Sequence, residues 1–134
     1  MKHTCEELDK KRKNNVKKVV FIGHAISGDV KGNVEKIFKI CKKIHNKQVI
    51  PCVPYLASLR YLEDEVKQDR EMGIQSNLEC FRRRFVDELW LFGDRISNGM
   101  KQEIALALKM KIPVVPKTRG AREDFRRLKI NKGE

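Results

Sequence analysis

The sequence contains no long hydrophobic run. Its longest apolar stretches have four or five residues, as at positions 19–22 and 89–92, whereas a membrane-spanning helix needs about 20. The segment after Met1 is polar and charged, unlike the apolar core of a secretory signal. We therefore expect neither a membrane span nor a secretory signal.

Cysteine is scarce and widely spaced. The four cysteines are Cys5, Cys41, Cys52 and Cys80, and none of them forms a C-x-x-C pair. Disulfide frameworks and zinc sites need cysteines in recognisable, closely spaced sets. We expect reduced thiols in a cytoplasmic protein, with neither a metal nor a cofactor.

Acidic residues are few relative to basic ones. There are 18 Asp and Glu against 30 Lys and Arg, a net charge of +12. Residues 1–18 and residues 117–134 each carry 7 basic and 3 acidic side chains, so each end contributes +4. The ends are either solvated tails or a surface for a polyanion. They contain no nucleic-acid-binding module and one aromatic residue, Phe125, so a reader of nucleic acid is not favoured.

Apolar runs and helical stripes alternate along the chain. Short runs bounded by polar residues or glycine indicate strands, and apolar spacings of three and four indicate helices. Strands are predicted at 19–23, 49–53, 89–93 and 112–115. Helices are predicted at 33–46 with Asn33 as N-cap, at 69–85 with Phe85 closing the apolar stripe, at 100–110 and at 121–128.

This alternation predicts an α/β fold with a parallel sheet. All four prolines fall in or beside the second and fourth strands, at Pro51, Pro54, Pro113 and Pro116. Because proline cannot donate to a strand ladder, these strands are expected at the edges. The predicted architecture is a flavodoxin-like three-layer sandwich with strand order 2-1-3-4 and helices on both faces. We divide the chain into a basic N-terminal extension (1–17), one domain (18–118) and a basic C-terminal extension (119–134).

In such a sheet, ligands bind beyond the carboxyl ends of the strands, where the strand order reverses. The two loops at that point are 24–32 and 94–99. The first contains Ser27, Gly28 and Gly32 before a helix N-terminus, which suits an anion. Its spacing matches neither the G-x-G-x-x-G fingerprint nor a Walker A loop, and a plain turn explains it equally well.

One carboxylate falls on an apolar helix face. On a helical wheel, Glu103 lies between Met110 and Ala107 within the apolar arc of the third helix. An inward carboxylate is costly unless something compensates its desolvation. A helix-dipole contact or a buried ion pair with an arginine would explain it. The functional alternative is a carboxylate at the floor of a pocket, acting as nucleophile or base.

The residues around this helix resemble a known family. The pattern Ser97-x-Gly99-x-x-x-Glu103-x-x-x-Ala107, which follows the acidic and apolar strand at 87–92, is similar to that of nucleoside 2-deoxyribosyltransferase-like proteins. These include the 2'-deoxynucleoside 5'-phosphate N-hydrolases and small uncharacterised bacterial and phage domains. The resemblance spans residues 19–116.

The resemblance implies that Glu103 attacks C1' of a sugar and displaces the base, and that water or a second base then resolves the glycosyl-enzyme. It also implies a nucleotide or nucleoside ligand and a homodimer. Characterised members carry an aspartate on the second helix that assists the leaving base. Here Asn77, which cannot donate as an acid, lies nearest that place. Either Glu79, about half a turn away, substitutes for the aspartate or proton donation is impaired.

Together these arguments give a set of candidate site residues. The catalytic candidates are Glu103 and Glu79. The substrate-binding candidates are Gly23, His24, Ile26, Ser27, Gly28, Asn77, Asp94, Arg95, Ser97, Gly99 and Met100. Tyr55 and Arg70 are weaker candidates. Asp87 is expected to bond to the backbone, and Trp90 is expected in the core.

Two function classes follow from this set. The first is an enzyme that cleaves or transfers an N-glycosidic bond of a nucleotide or nucleoside. The second is a binding module with the same pocket, which captures or senses a nucleotide signal, ADP-ribose-like or cyclic, as in a phage–host defence system. A less specific alternative is nucleic-acid association through the basic ends.

Overall fold

The computed structural model describes residues 4–7 and 17–131, with side chains described as far as residue 128. The predicted N-terminal extension therefore lies largely outside the described residues. The strands are β1 (Lys18–Gly23), β2 (Val49–Cys52), β3 (Glu88–Leu91) and β4 (Val114–Pro116). The helices are α1 (Val30–Ile44), α2 (Tyr55–Ser58), α3 (Lys67–Arg82), α4 (Asn98–Lys109) and α5 (Arg119–Asn131).

The four strands form one parallel sheet in the order β2-β1-β3-β4. The predicted order is confirmed, with the proline-containing strands at both edges. Pro51 pairs with Val20 in register, and at an edge its missing N–H costs no ladder bond on the outer side. The proline pattern therefore predicted the sheet order, because a residue without a backbone N–H is tolerated best in an edge strand.

The two central strands carry the core. Val20, Phe21 and Ile22 of β1 are fully buried, although successive side chains point to opposite faces of a sheet. Both faces are therefore covered by helices, as predicted. On one face the Phe21 ring packs against Phe81 of α3, with ring centroids 4.9 Å apart. On that face α3 also packs against α4.

The first helix begins one turn earlier than predicted. Its N-cap is Asp29, whose carboxylate accepts a hydrogen bond from the Gly32 N–H at 3.1 Å. Asn33 was predicted as the cap, and this is wrong: its side-chain amide donates to the Ile26 carbonyl at 2.9 Å. Both residue types cap helices well. Asp29 caps the helix because its carboxylate reaches the free N–H groups of the first turn.

The second long helix ends before Phe85. The helix stops at Arg82, Arg84 adopts a left-handed conformation (φ 54°), and Phe85 is 59% exposed. The predicted apolar stripe is therefore wrong at its last position.

The connection after β2 is fixed by Tyr55, which begins the short helix α2. Its hydroxyl donates a hydrogen bond to the Ile22 carbonyl at 2.6 Å.

The structure tests two further expectations, one for Asp87 and one for Trp90. Asp87 accepts a hydrogen bond from the Val19 N–H at 2.7 Å, which confirms its structural role. Trp90 is half-buried rather than in the core. Its indole N–H donates to Glu88 at 2.8 Å, and the Lys117 ammonium lies 3.9 Å from the ring centroid. The aromatic ring therefore supports a charged contact on its outer side.

The described part of the predicted C-terminal extension belongs to the domain. Helix α5 contributes Ala121 and Phe125 to the hydrophobic core. Its Asp124 carboxylate accepts a hydrogen bond from the Ile96 N–H at 2.9 Å, so α5 also supports the loop that follows β3. In the part of the chain that the structure describes, no helix is long and apolar enough to cross a membrane. The four cysteines are free thiols.

Candidate active site

The loop after β3 places Glu103 through a capped helix start. Ser97 is the N-cap of α4, and its hydroxyl accepts a hydrogen bond from the Met100 N–H at 3.3 Å. The Met100 sulfur in turn accepts from the Ser97 N–H at 3.4 Å. These two contacts fix the first turn of α4. Glu103 lies on the next turn, on the face that packs towards the sheet and α3, and it is buried.

Glu103 is buried without a cationic partner. Its side chain is 6% exposed, and its Oε1 atom has no hydrogen-bond partner among the described residues. No ion pair to this carboxylate forms within the described structure, so the predicted alternative of an arginine bridge does not apply. Because the interior disfavours the charged form, burial raises the pKa of Glu103 to about 8, against a smaller lowering by the Asn77 side chain.

A cleft opens beside this carboxylate. It has a volume of about 260 Å³ and lies beyond the carboxyl ends of β1, β2 and β3, where the sheet topology predicts a ligand. Nine of the predicted site residues line it: His24, Ile26, Ser27, Asn77, Arg95, Ser97, Gly99, Met100 and Glu103. The structure thus brings together residues from two separate loops and two helices.

Four predicted site residues lie outside the cleft lining. Glu79 is exposed and bonded to Arg82 and Arg83, at 3.3 and 3.0 Å. These guanidinium groups lower the pKa of Glu79, so it is an ionised surface carboxylate. Its predicted role as the acid for the leaving base does not fit this position.

The other three are Gly23, Gly28 and Asp94. A Cβ at Gly23 would lie 3.0 Å from the Leu91 side chain, so this glycine permits close packing of β1 on β3. Gly28 has a φ of +97°, which favours glycine in the turn before α1. Asp94 is exposed, and its backbone lies against Gly120, where a Cβ would clash. These positions shape the loops around the site.

Two acidic side chains contact the first loop, where the sequence predicts an anion. The Asp29 carboxylate already occupies the N-terminus of α1 and would repel a second negative charge. The Ser27 hydroxyl donates to the Asp64 carboxylate at 2.7 Å. These two contacts do not favour a phosphate at the N-terminus of α1, and the loop closes one rim of the cleft against Asp64.

Sequence reasoning missed part of the wall that is formed by α2, the connection to α3 and the first turn of α3. Asp64, Asp69 and Ser58 line the cleft, together with Tyr55 and Arg70. Asp69 accepts from the Glu63 N–H at 2.9 Å, and the Arg70 Nε donates to the Asp64 carbonyl at 2.8 Å. The acidic run at 63–65 was the available signal, but such a run in a loop usually faces solvent.

Arg95 supplies an uncommitted positive charge at the cleft. It lines the cleft, is exposed, and forms no hydrogen bond or ion pair with any described residue. The neighbouring His24 is held differently: its Nδ1 lies 2.7 Å from the Ala25 carbonyl, and its ring lies beside Gly93. Arg95 is therefore the side chain most free to meet an anionic group on a ligand.

The arrangement combines an inward carboxyl group, a carboxamide at its side and a guanidinium at the opening. The Asn77 Oδ1 is also buried without a partner. Each buried polar atom without a hydrogen-bond partner is costly in a native interior. Such groups are expected where a ligand completes their hydrogen bonding.

Comparisons with known proteins place the chain in one family. No curated protein and no solved structure gives a significant match. A family model described as a domain of unknown function, DUF7768, matches residues 18–117, which span β1 to the end of β4. The chain therefore belongs to the DUF7768 family.

Proposed function

We propose that this protein cleaves or transfers the N-glycosidic bond of a nucleotide, with Glu103 as the nucleophile. The observation that carries the proposal is the buried Glu103 carboxyl group, which has a cleft beside it and, among the residues that the structure describes, neither a cationic partner nor a hydrogen-bond partner for Oε1. A structural carboxylate at this depth would be paired. The cleft volume of about 260 Å³ is close to the lower end of small-molecule sites, roughly 300 Å³.

The reaction divides into two displacement steps. A Glu103 oxygen forms a bond to C1' while the C1'–N bond breaks, and the base departs with the bonding electron pair. Water, or a second base in transfer, then attacks C1' and releases the carboxylate. The departing base takes its proton from water in the open cleft, because Glu79 lies outside it and Asn77 has only a neutral amide to donate.

We propose a phosphate on the substrate because Arg95 is uncommitted at the cleft. An Arg95→Gln variant is expected to raise KM for a nucleoside monophosphate roughly ten- to a hundredfold, the range of a charge-assisted contact, and to leave the nucleoside unaffected. Lys101→Gln is the matched control, since Lys101 is exposed on the same helix and does not line the cleft. An equal rise in KM for the nucleoside monophosphate and for the nucleoside would contradict the assignment of Arg95 to a phosphate.

The catalytic proposal is tested by following free base. The protein is incubated with a panel of nucleoside monophosphates and deoxynucleoside monophosphates, and base is separated by chromatography. Glu103→Gln is expected to reduce release roughly a thousandfold or more, as for a lost nucleophile. Glu79→Gln is the matched control and is expected to retain activity. Base release that survives in Glu103→Gln overturns the proposed nucleophile.

A second candidate function is capture of a nucleotide without turnover. It is favoured by one observation: of the two predicted acid positions, Asn77 is neutral and Glu79 faces away from the cleft. In this case a nucleotide is recovered intact and raises the melting temperature of the wild type and of Glu103→Gln alike. Release of base by the wild type excludes it for that nucleotide.

We further propose that the protein acts as a homodimer in the cytoplasm. Support comes from the resemblance described above and from four thiols that are free in the structure. Light scattering after gel filtration gives the molar mass directly. A mass of 15.7 kDa, that of one chain, would contradict the dimer.

A further inference from the structure

The end of the molecule opposite the cleft gathers basic side chains. In a parallel sheet with antiparallel helices, the amino ends of the strands and the carboxyl ends of the long helices meet at one edge. Here the Lys18 N–H donates to the Gln48 carbonyl at 2.7 Å, and the Arg84 guanidinium reaches the Met110 carbonyl at 3.4 Å. The turns before β1, β2, β3 and β4 therefore lie side by side.

We call these positions the basic end. It comprises ten basic residues: Lys17, Lys18, Lys42, Lys43, Lys47, Arg82, Arg83, Arg84, Lys109 and Lys111. All ten are exposed. Three acidic residues accompany them, and all three are committed: Glu79 to two arginines, Asp87 to the Val19 N–H, and Glu88 to Lys18 and Trp90.

The positive charge of the described fold is concentrated there. Ten basic against three acidic residues give +7 at the basic end, while the remainder of residues 17–128 has 13 basic and 11 acidic residues, or +2. Basic residues in the last turns of helices offset the helix dipole, which accounts for Lys42, Lys43 and Lys109. It does not account for Lys17 and Lys47, which precede strands.

An exposed aromatic ring lies within this surface. Phe85 is 59% exposed, follows Arg84 directly, and lies in the turn that leads into β3. Exposed aromatic rings beside cations are the elements that stack on unpaired bases and track the phosphates of single-stranded nucleic acid. A lipid surface would instead call for an amphipathic helix that presents an apolar face along its length, and the basic end is built from the last turns of three helices and the turns before the strands.

We propose that the basic end binds single-stranded nucleic acid, with its lysines and arginines on the phosphates and Phe85 stacked on a base. The surface is separate from the cleft at the carboxyl ends of the strands, so binding does not depend on Glu103.

The test uses the full chain and a fluorescein-labelled 20-nucleotide oligothymidylate, followed by fluorescence anisotropy from low to moderate salt. The triple variant Lys43→Gln, Lys47→Gln, Lys109→Gln is expected to bind at least tenfold more weakly. Its plot of log affinity against log salt is expected to flatten by about 2, because each lost phosphate contact on a single strand removes about 0.7.

The matched control is Lys31→Gln, Lys67→Gln, Lys101→Gln, which removes the same charge from exposed positions outside the basic end. Equal weakening of both triples attributes binding to net charge alone and overturns the proposal. So does a wild type that fails to bind the oligonucleotide, or one that binds only vesicles containing phosphatidylserine. Unchanged circular dichroism and melting temperature establish that both triples are folded.

The proposed stacking of Phe85 on a base is tested with a separate variant. Phe85→Ala is expected to weaken oligonucleotide binding about tenfold, within the range for one stacked base, and to change duplex binding little. Phe38→Ala is the control, because Phe38 is 56% exposed on α1. An equal effect on single strand and duplex overturns the assignment of Phe85 to base stacking.

Discussion

At the scale of single residues, Glu103 couples stability to pH. Its pKa is about 8 in the folded protein and about 4.5 in the unfolded chain. The native state therefore holds a proton that the unfolded state has lost between these values, and stability falls as pH rises through this window. Above about pH 8 both states are ionised and the penalty stays constant.

The first prediction follows from this linkage. Glu103→Gln removes the ionisable group, so the variant is expected to be more stable than the wild type at pH 9 by a few kcal/mol. The advantage grows by roughly 1 kcal/mol per pH unit above pH 5. Urea denaturation at pH 5, 7 and 9 measures the difference. A constant difference across these pH values would show that the wild-type carboxyl group does not change its protonation.

The second prediction concerns activity. A nucleophilic Glu103 must be ionised, so kcat/KM is expected to rise about tenfold per pH unit up to about 8 and then to level off. The measurement is initial rate of base release at subsaturating substrate from pH 5.5 to 9.5. A rate that falls through pH 8 would instead assign Glu103 as a proton donor, since its neutral form would be the active one.

At the scale of elements, the cap of α1 decides where the first helix starts. Asp29 accepts from the Gly32 N–H at 3.1 Å and satisfies one of the free donors of the first turn. Asp29→Ala is therefore expected to lower the free energy of unfolding by about 1 kcal/mol. Glu35→Ala, at an exposed position within the same helix, is the comparison and is expected to change stability by less than half as much.

The cap prediction is checked by urea denaturation at pH 7. If Asp29→Ala matches Glu35→Ala, the carboxylate does not cap α1 in solution. The Asp29→Ala variant also removes the negative charge from the helix N-terminus, so it would free that terminus for a phosphate. Tighter binding of a nucleoside monophosphate by this variant would show that the Asp29 carboxylate weakens phosphate binding at the first loop.

At the scale of the whole molecule, α5 completes the fold. Phe125 is buried in the core, and Asp124 bonds to the loop that follows β3. Phe125→Ala is expected to lower the free energy of unfolding by roughly 3–5 kcal/mol, as for large core truncations. Arg126→Ala, an exposed neighbour on α5, is expected to have little effect. Similar stabilities of the two variants in urea would mean that α5 is dispensable for the core.

The hydrophobic pattern and the placement of the prolines predicted the architecture. The pattern shows which residues of each strand and helix are buried, and the prolines mark the strands that lack backbone donors. The inward direction of Glu103 was also predictable, since helical periodicity places position 103 on the apolar arc. Boundaries were less predictable: Asp29 and Asn33 are equally good caps in isolation. The end of α3 was missed because Arg84 leaves the helix in a left-handed conformation, which no residue type signals in advance.

The candidate site divides in the same way. Ser97, Gly99 and Glu103 lie on one short stretch, so their spacing alone placed them together. Asp64 and Arg70 line the cleft because of the path that the chain takes between α2 and α3. The Tyr55 hydroxyl fixes the start of that path, because it donates a hydrogen bond to the Ile22 carbonyl. Glu79 does not line the cleft, because its position on α3 places its carboxylate in ion pairs with Arg82 and Arg83.

The sequence by itself determined the parallel sheet, its strand order and the burial of one carboxyl group, because periodicity and missing backbone donors are properties of local chemistry. Only the tertiary structure decided that no arginine among the described residues pairs with Glu103, that Asp64 closes the cleft and that ten basic residues lie at one end. These are distances between residues far apart in the chain. They depend on how helices and loops pack, which local pattern does not encode.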